Sequence, residues 1–506
     1  MELFCFGIDL VISRLERVLQ GILIASVPVH GPTLQHEPAL PPYEQRYKLI
    51  GYADDNKPAI TTMEEFSIVD RSLAVFERAS GCKLHRDPLN KKCKFLPLGR
   101  WRNTLQQSDI PCDYMTISDH LDMVGVTLMV SWAKTRKING DALQLRIQNT
   151  IRPWKAGKFL PITQRGWSIN CYAYSKIWFR SRCIDLRVCD VKNITSTCKS
   201  WLYQDVLVKP EEMILHRPHL QGGLGLHSVK YKALAGFITT FLQTAANPAY
   251  RPNLLHSLIY RKNILEEENV PGAPALRPPY FTKELFSLIK TVKDDTPLNI
   301  ITMSERDWTR LLTEENITME LNQDTSTRQL KPCKVEADSP TTDWPLSWGL
   351  CRQAGIPPYL ASFLWKLLLN LICPQERLHR MGTATSPLCK LCNTSTIGNL
   401  QHTFFQCPFN DGAGQLLINC LQNHIPRLSA EAILRLEFSN LDDDMSLPVT
   451  LITAITLNYI WSQRMSSSKF RAYQVRSKIE QTINLLRTSR LADVSAKLQA
   501  LLNQMF

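Results

Sequence analysis

Four potential metal ligands with the spacing Cys389-x2-Cys392-x9-His402-x4-Cys407 impose the strongest constraint on how this chain can fold. A Cys-x2-Cys pair turns tightly enough for two thiolates to reach one ion, and His402 and Cys407 can reach the same ion from a short helix. Three thiolates and one imidazole form a closed tetrahedral Zn²⁺ site with no open position for a substrate. The alternative is four reduced residues in a loop, because the chain has 15 cysteines and pairs arise by chance. The spacing favours structural Zn²⁺.

Two adjacent acids, Asp54 and Asp55, follow a short apolar run in YKLIGYADDN (47–56). The surrounding pattern predicts a strand, a turn at DDNK and a return strand at PAITT. Asp and Asn are common in β-turns, so a simple turn is one interpretation. The other is a Mg²⁺ site, because carboxylates at a hairpin tip can hold this ion beside substrate phosphates. Two such ions activate an attacking hydroxyl and stabilise a leaving oxygen in phosphoryl transfer, and Tyr52 would form the floor of the site.

Positive charge is concentrated in one part of the chain. The net charge is +13, and residues 131–210 contain fifteen Lys and Arg against four Asp, a net charge of +11. Aromatic residues interleave with these cations, among them Trp154, Trp167 and Tyr172. Cations and aromatics together suit phosphate contacts and base stacking, so the pattern predicts nucleic-acid binding. A solvated basic helical face is the alternative interpretation.

The hydrophobic pattern predicts an α+β N-terminal part followed by mostly helical segments. The chain is long enough for two to four domains. Helix, hairpin, helix and two strands are expected in residues 1–130, and the strands fade from about residue 138. The individual predictions include helices over 1–25 and 63–80, a loop over 26–46, a strand over 123–129, a polar linker over 322–343 and two amphipathic helices in the last 60 residues.

The composition is that of an intracellular globular protein. No apolar run reaches the roughly 18 residues that a membrane span needs. Charged residues interrupt the N-terminal segment, which is therefore not a signal peptide. We expect reduced cysteines and no membrane partner.

Several segments stand in the order typical of one protein family. They are Tyr52-Ala53-Asp54-Asp55, FERASGCKLHRDPLNKKCKFL (76–96), HLDMVGVTL (120–128), WKAGKFLPITQRGW (154–167) and RPHLQGGLGL (217–226). They resemble the YxDD box, the helix and lysine segment after it, the primer-grip strand and the thumb of reverse transcriptases from LINE-type (non-LTR) retrotransposons. The segments flanking the cysteine cluster, FLWKLLLNLICPQERLHRMG and CPF, resemble the C-terminal CCHC region of the same family.

This resemblance implies RNA-directed DNA polymerisation with two Mg²⁺ ions. The partners would be an RNA template, a DNA primer or target, and element RNA in a ribonucleoprotein of the nucleus or cytoplasm. Asp54 would bind the catalytic metals, and Asp55 and Tyr52 would support the site. Contacts to nucleotide or nucleic acid would come from Lys83, Lys91, Lys92, Gly125, Lys155, Lys158 and Arg165, with Gly125 in the primer grip.

The resemblance also suggests a domain order and a departure from the family. The expected domains are a partial palm (1–130), a basic helical thumb (131–245), a helical connector (246–343), a CCHC zinc-binding region (344–445) and C-terminal amphipathic helices (446–506). The family needs a further aspartate on an earlier palm strand, but Asp9 is the only Asp before Asp54 and lies in a predicted helix. We therefore expect a truncated palm with weak or no catalysis. The alternatives are a non-catalytic RNA- or DNA-binding protein and a non-functional remnant.

Overall fold

The computed structural model describes most of the chain. The described residues are 15, 17–20, 22–25, 44–47, 49–52, 55–80, 93–97, 99–123, 125–129, 131–154, 160–184, 186–204, 206–246, 303–321, 328–392, 394–439, 441–466, 470–487 and 491–506. The Pro-rich segment VPGAPALRPP (270–279), where the sequence predicts a break between helical segments, lies outside them.

The chain divides into two compact units. The first comprises Met1–Leu145, Ile177–Val191 and Ala233–Glu305, and the second comprises Arg146–Lys176, Lys192–Lys232 and Arg306–Phe506. The five domains predicted from the sequence stay predictions.

Short strands pair two by two in the described part of the chain. The strands are β1 (Ile22–Ala25), β2 (Glu44–Tyr47), β3 (Leu49–Tyr52), β4 (Asp55–Pro58), β5 (Cys93–Phe95), β6 (Met115–Ile117), β7 (His120–Met123), β8 (Val126–Met129), β9 (Met319–Leu321) and β10 (Arg328–Leu330). Strands β5 and β6 are parallel, and the pairs β1–β2, β3–β4, β7–β8 and β9–β10 are antiparallel.

Helices make up most of the structure. They are α1 (Met63–Ser80), α2 (Trp132–Trp154), α3 (Ile162–Ser168), α4 (Ser175–Cys183), α5 (Val188–Leu202), α6 (Glu212–His216), α7 (Val229–Ala246), α8 (Glu305–Thr313), α9 (Lys334–Asp338), α10 (Trp344–Cys351), α11 (Pro358–Leu368), α12 (Gln375–Arg380), α13 (Ala413–Gln422), α14 (Ala430–Leu434), α15 (Asp443–Ser466), α16 (Ala472–Arg487) and α17 (Ala492–Met505). Turns of π-helix cover Ile169–Tyr174, Glu314–Thr318 and His402–Gln406.

The first unit is organised around α1, whose predicted bounds are confirmed. Val69 packs with Leu15 and Leu19, while Phe66 packs with Ile110, so two small clusters lie against one helix. The carboxylate of Glu65 caps the start of α1 by accepting bonds from Thr61 and Thr62 backbone N–H groups at 2.6 and 3.2 Å. This unit contains both helices and strands, as an α+β fold predicts. Each described sheet here has only two strands, so a palm-like arrangement stays a prediction.

Three local predictions in this unit are wrong. The end of the loop predicted over 26–46 is part of strand β2. Residues 22–25 form strand β1 rather than the end of a helix, because an apolar run this short fits either state and pairing with β2 decides. The single strand predicted over 123–129 is a hairpin of β7 and β8. Gly125 lies at its tip with φ 77°, a conformation that side chains with a Cβ rarely adopt.

The second unit packs around α15. Its neighbours are α11, α13, α16 and α17, and residues such as Leu451, Leu457 and Ile460 are fully buried. By length and composition this helix is apolar enough to cross a membrane, contrary to the expectation that no segment of the chain is long enough for a span. However, 67% of its apolar window is buried inside the protein, as in the core helix of a soluble protein, so the helix is weak evidence for a membrane span.

Two further predictions in the second unit need correction. The polar linker expected over 322–343 contains β10 and α9. Glu336 of α9 forms an ion pair with the fully buried Arg217 at 2.9 Å, and this long-range contact gives the polar segment a fixed place. The last 60 residues contain the end of α15 together with α16 and α17, rather than two helices.

Candidate metal centre

The Cys-x2-Cys pair lies in a loop that is closed by backbone bonds. An antiparallel bridge joins Leu388 to Ile397, and the Cys389 N–H donates to the Thr396 carbonyl at 2.9 Å. These bonds bring the two ends of the loop together around the cysteines. The backbone N–H groups of Leu391 and Cys392 turn inward and donate to the Cys389 sulfur. The loop therefore presents two sulfur atoms to one point, as the spacing predicts.

A π-helical turn, His402–Gln406, supplies the other two ligands. The Cys407 N–H donates to the His402 carbonyl at 2.8 Å, an i→i+5 bond that closes one wide turn. Residues five apart then fall on the same side, which a regular α-helix would not achieve. The start of α13 lies so close to this turn that a Cβ on Gly414 would overlap the Phe404 carbonyl, so this position requires glycine.

The four ligand atoms fit a zinc ion. They all lie within 4.8 Å of one another, and Cys389, His402 and Cys407 are buried. The sulfur atoms of Cys389 and Cys407 are 3.8 Å apart, and the Cys392 sulfur is 3.3 Å from the His402 Nε2. Tetrahedral zinc with bonds of about 2.3 Å to sulfur and 2.0 Å to nitrogen requires separations of about 3.8 and 3.5 Å. The donor set therefore has the size and chemistry of a structural Zn²⁺ site.

Arg464 of α15 lies against two of the ligands, a contact that no sequence pattern predicts. Its Nη1 is 3.2 Å from the Cys407 sulfur and its Nη2 is 3.1 Å from the Cys389 sulfur. It lies 57 positions along the chain from Cys407, and no metal-binding motif includes it.

The electrostatics at these two sulfurs differ. Burial opposes ionisation of Cys389, but the Arg464 guanidinium and the N–H groups of Leu391 and Cys392 lower the pKa of this thiol to about 6. Burial raises the pKa of Cys407 to about 11, and the negative charge of Cys389 adds to the rise. A bound Zn²⁺ would supply positive charge that favours the thiolate form of both sulfurs.

The comparisons agree with this geometry. Residues 334–413 match the family model described as zinc-binding in reverse transcriptase, and all four ligands fall inside the matched segment. The match supports a reverse-transcriptase-related protein. A search of the curated proteins finds no match to this chain. We refer to residues 334–413 as the reverse-transcriptase zinc-binding region. The zinc prediction is confirmed to this extent: Cys389, Cys392, His402 and Cys407 form a cluster that could hold structural zinc.

The predicted magnesium site is only partly described. Strands β3 and β4 pair with Tyr52 opposite Asp55, so their connection consists of residues 53 and 54. A hairpin is present as predicted, but its bounds differ: the return strand is Asp55–Pro58, where the turn DDNK was expected, and residues 59–62 of the predicted return strand PAITT are not strand. Asp54 lies outside the described residues, as do the side chains of Tyr52 and Asp55. Mg²⁺ binding stays a prediction.

The predicted nucleic-acid contacts have different outcomes. Lys83, Lys91, Lys92, Lys155 and Lys158 lie outside the described residues. Gly125 is exposed at the β7–β8 tip, and its contact with a primer stays a prediction.

Arg165 is a core residue in this structure. Its side chain is 1% exposed, and its Nη1 donates to the Leu202 carbonyl at 3.2 Å. As placed, this guanidinium presents no surface to a phosphate, because it is used within the packing of the second unit. Arg165 is therefore left out of the interface proposed below.

Proposed function

We propose that this chain is the C-terminal portion of a LINE-type reverse transcriptase, with a partial palm, a basic helical thumb and a zinc-binding region. The observation that carries the proposal is the match of residues 334–413 together with the four-ligand cluster inside it. The two-stranded hairpin around Tyr52 and Asp55 supports the assignment of a YxDD box. The zinc site is closed, so its role is to hold the fold and a nucleic-acid surface in place.

The reaction would be RNA-directed DNA polymerisation. Asp54 would hold Mg²⁺ with support from Asp55, and the ions would lower the pKa of the primer hydroxyl and neutralise charge on the triphosphate. The RNA template and the DNA primer or target would bind along the basic thumb, within a ribonucleoprotein in the nucleus or cytoplasm.

Any Mg²⁺-dependent primer extension that the full chain supports on an RNA template is expected to fall at least about a hundredfold in Asp54→Ala, because a metal ion contributes several kcal/mol to stabilising the transition state. Incorporation of labelled nucleotide by the full chain measures this. The matched control is Asp113→Ala, which removes an exposed carboxylate elsewhere in the first unit and should leave extension unchanged. Extension that survives Asp54→Ala would contradict the polymerase assignment.

A non-catalytic nucleic-acid-binding protein is the second candidate, and one surface feature favours it. Trp167 and Tyr172 are 57% and 54% exposed, and their ring centroids are 6.1 Å apart in an edge-to-face arrangement. The ring centroid of Trp154 is also 6.1 Å from that of Tyr172. Exposed Arg152 and Lys176 belong to the same unit. Exposed rings among cations suit unpaired bases and their phosphates.

Trp167→Ala is expected to weaken binding of a single-stranded oligonucleotide about 5-fold or more, since stacking on an aromatic contributes about 1–3 kcal/mol per base. Fluorescence anisotropy at several salt concentrations would measure the affinity. The slope against salt should stay unchanged, because no phosphate contact is lost. Tyr473→Ala, which removes another exposed ring, should have no effect. Salt-dependent binding without primer extension would favour the binding protein, whereas equal affinities of Trp167→Ala and wild type would contradict this surface.

A further inference from the structure

The guanidinium of Arg464 spans two zinc ligands. Its two Nη atoms donate to the sulfurs of Cys407 and Cys389 at 3.2 and 3.1 Å, and these sulfurs are themselves 3.8 Å apart. A planar guanidinium presents its N–H groups as a rigid fork, so one side chain satisfies two acceptors at once. Such contacts with the atoms of a metal site orient the ligands before the metal binds.

The charge of the site explains why a cation belongs there. Three cysteine thiolates and one neutral histidine around Zn²⁺ leave one net negative charge in a mostly buried cluster. A buried unpaired charge is costly, and an ion pair with hydrogen bonds reduces that cost. Arg464 is always protonated and its two donors face the two buried sulfurs, so it neutralises the excess charge where it is concentrated.

We propose that Arg464 is a positioning residue of the zinc site, which balances the charge of the thiolates and fastens α15 to the metal-binding loop. The proposal rests on zinc binding and is independent of polymerase activity.

The surroundings of Arg464 fix it in this position. Trp461, three residues earlier on α15, packs on Phe404 of the π-helical turn with ring centroids 6.2 Å apart. Residues three apart share one helix face, so Trp461 and Arg464 contact the site together. The Arg464 Cζ also lies 5.9 Å from the centre of the Phe409 ring. Since α15 is the central helix of its unit, loss of zinc would loosen a contact made by the core.

Zinc affinity tests the proposal directly. We expect Arg464→Gln to lower the affinity of the full chain for Zn²⁺ by about 10- to 100-fold, the usual effect of losing a group that orients metal ligands. Competition with a chromophoric chelator would measure it. The zinc affinity of Arg464→Lys should lie between those of wild type and Arg464→Gln, because lysine keeps the positive charge but cannot donate to both sulfurs in the planar geometry of a guanidinium. Arg476→Gln, which removes an exposed arginine from α16, should bind zinc as wild type does.

A second measurement separates positioning from packing. The melting temperature of wild type and Arg464→Gln would be compared with zinc and with excess chelator. If Arg464 acts through the site, the melting temperature of Arg464→Gln falls mainly in the zinc-loaded form. The sulfur-to-metal charge-transfer bands of the Co²⁺-loaded variant then also differ from those of Co²⁺-loaded wild type. Equal losses with and without zinc, or equal zinc affinities of variant and wild type, would overturn the proposal. If wild type bound no zinc, the assignment of the zinc site itself would be wrong.

Discussion

Cys392→Ser is expected to remove zinc from the protein and to destabilise the second unit by about 4 kcal/mol when free zinc is a thousandfold above its Kd. The melting temperature would fall by roughly 10 °C. The physical reason is that a structural metal binds only the folded form, so its binding free energy adds to folding. Cys392 suits this test because its side chain is the least buried of the four ligands, and serine replaces it with little change in packing.

Elemental analysis and calorimetry would check this result. Cys171→Ser is the matched control, since Cys171 is an exposed free cysteine of the same unit outside the cluster. It should keep one zinc per chain and its melting temperature. Chelator should lower the stability of wild type and of the control by similar amounts and leave Cys392→Ser unaffected. Full zinc occupancy in Cys392→Ser would show that the ligand assignment is wrong.

Glu336→Gln is expected to destabilise the second unit by about 3–5 kcal/mol, the typical cost of leaving a buried charge without its partner. Arg217 is fully buried, and its Nη1 lies 3.0 and 2.9 Å from the two carboxylate oxygens of Glu336. The same carboxylate accepts bonds from the Trp348 indole at 3.0 Å and the Cys333 N–H at 2.7 Å. Neutralising it removes the counter-charge and weakens two further bonds.

Urea denaturation compares this variant with an exposed pair. Glu431 and Arg435 lie one helical turn apart, and the Glu431 side chain is 55% exposed. Exposed pairs of this kind contribute about 0.3–0.5 kcal/mol, so Glu431→Gln should change stability by no more than that. Similar effects of the two substitutions would mean that Arg217 finds another partner when Glu336 is neutral.

Local patterns predicted local features well. The bounds of α1 followed from its apolar spacing and its first-turn acids, because a helix of that length is decided mainly by its own residues. The zinc ligands followed from spacing, since all four come from one short stretch and a single ion sets their separation. The basic and aromatic composition of residues 131–210 gave the expectation of nucleic-acid binding, which stays a prediction.

Features that depend on distant partners were missed or misplaced. The strand conformation of residues 22–25 depends on pairing with β2. The hairpin turn at Gly125 was missed because the sequence there lacks the Asn-Gly or Asp-Gly pair that usually signals a hairpin. Arg165 has the charge of a phosphate ligand, but the packing of its unit buries it. A sequence pattern does not reveal which charged side chains are enclosed.

The sequence by itself determined the metal-binding cluster, because ligand type and spacing along a short loop restrict the geometry to one ion. Only the tertiary structure decided what surrounds that cluster. Arg464 reaches the Cys389 sulfur from 75 positions away, and Glu336 meets Arg217 across 119 positions. Contacts at such separations arise from helix packing, in which many weak apolar contacts together fix the position of each charged side chain. These apolar contacts involve residues throughout the unit, so no short sequence pattern predicts them.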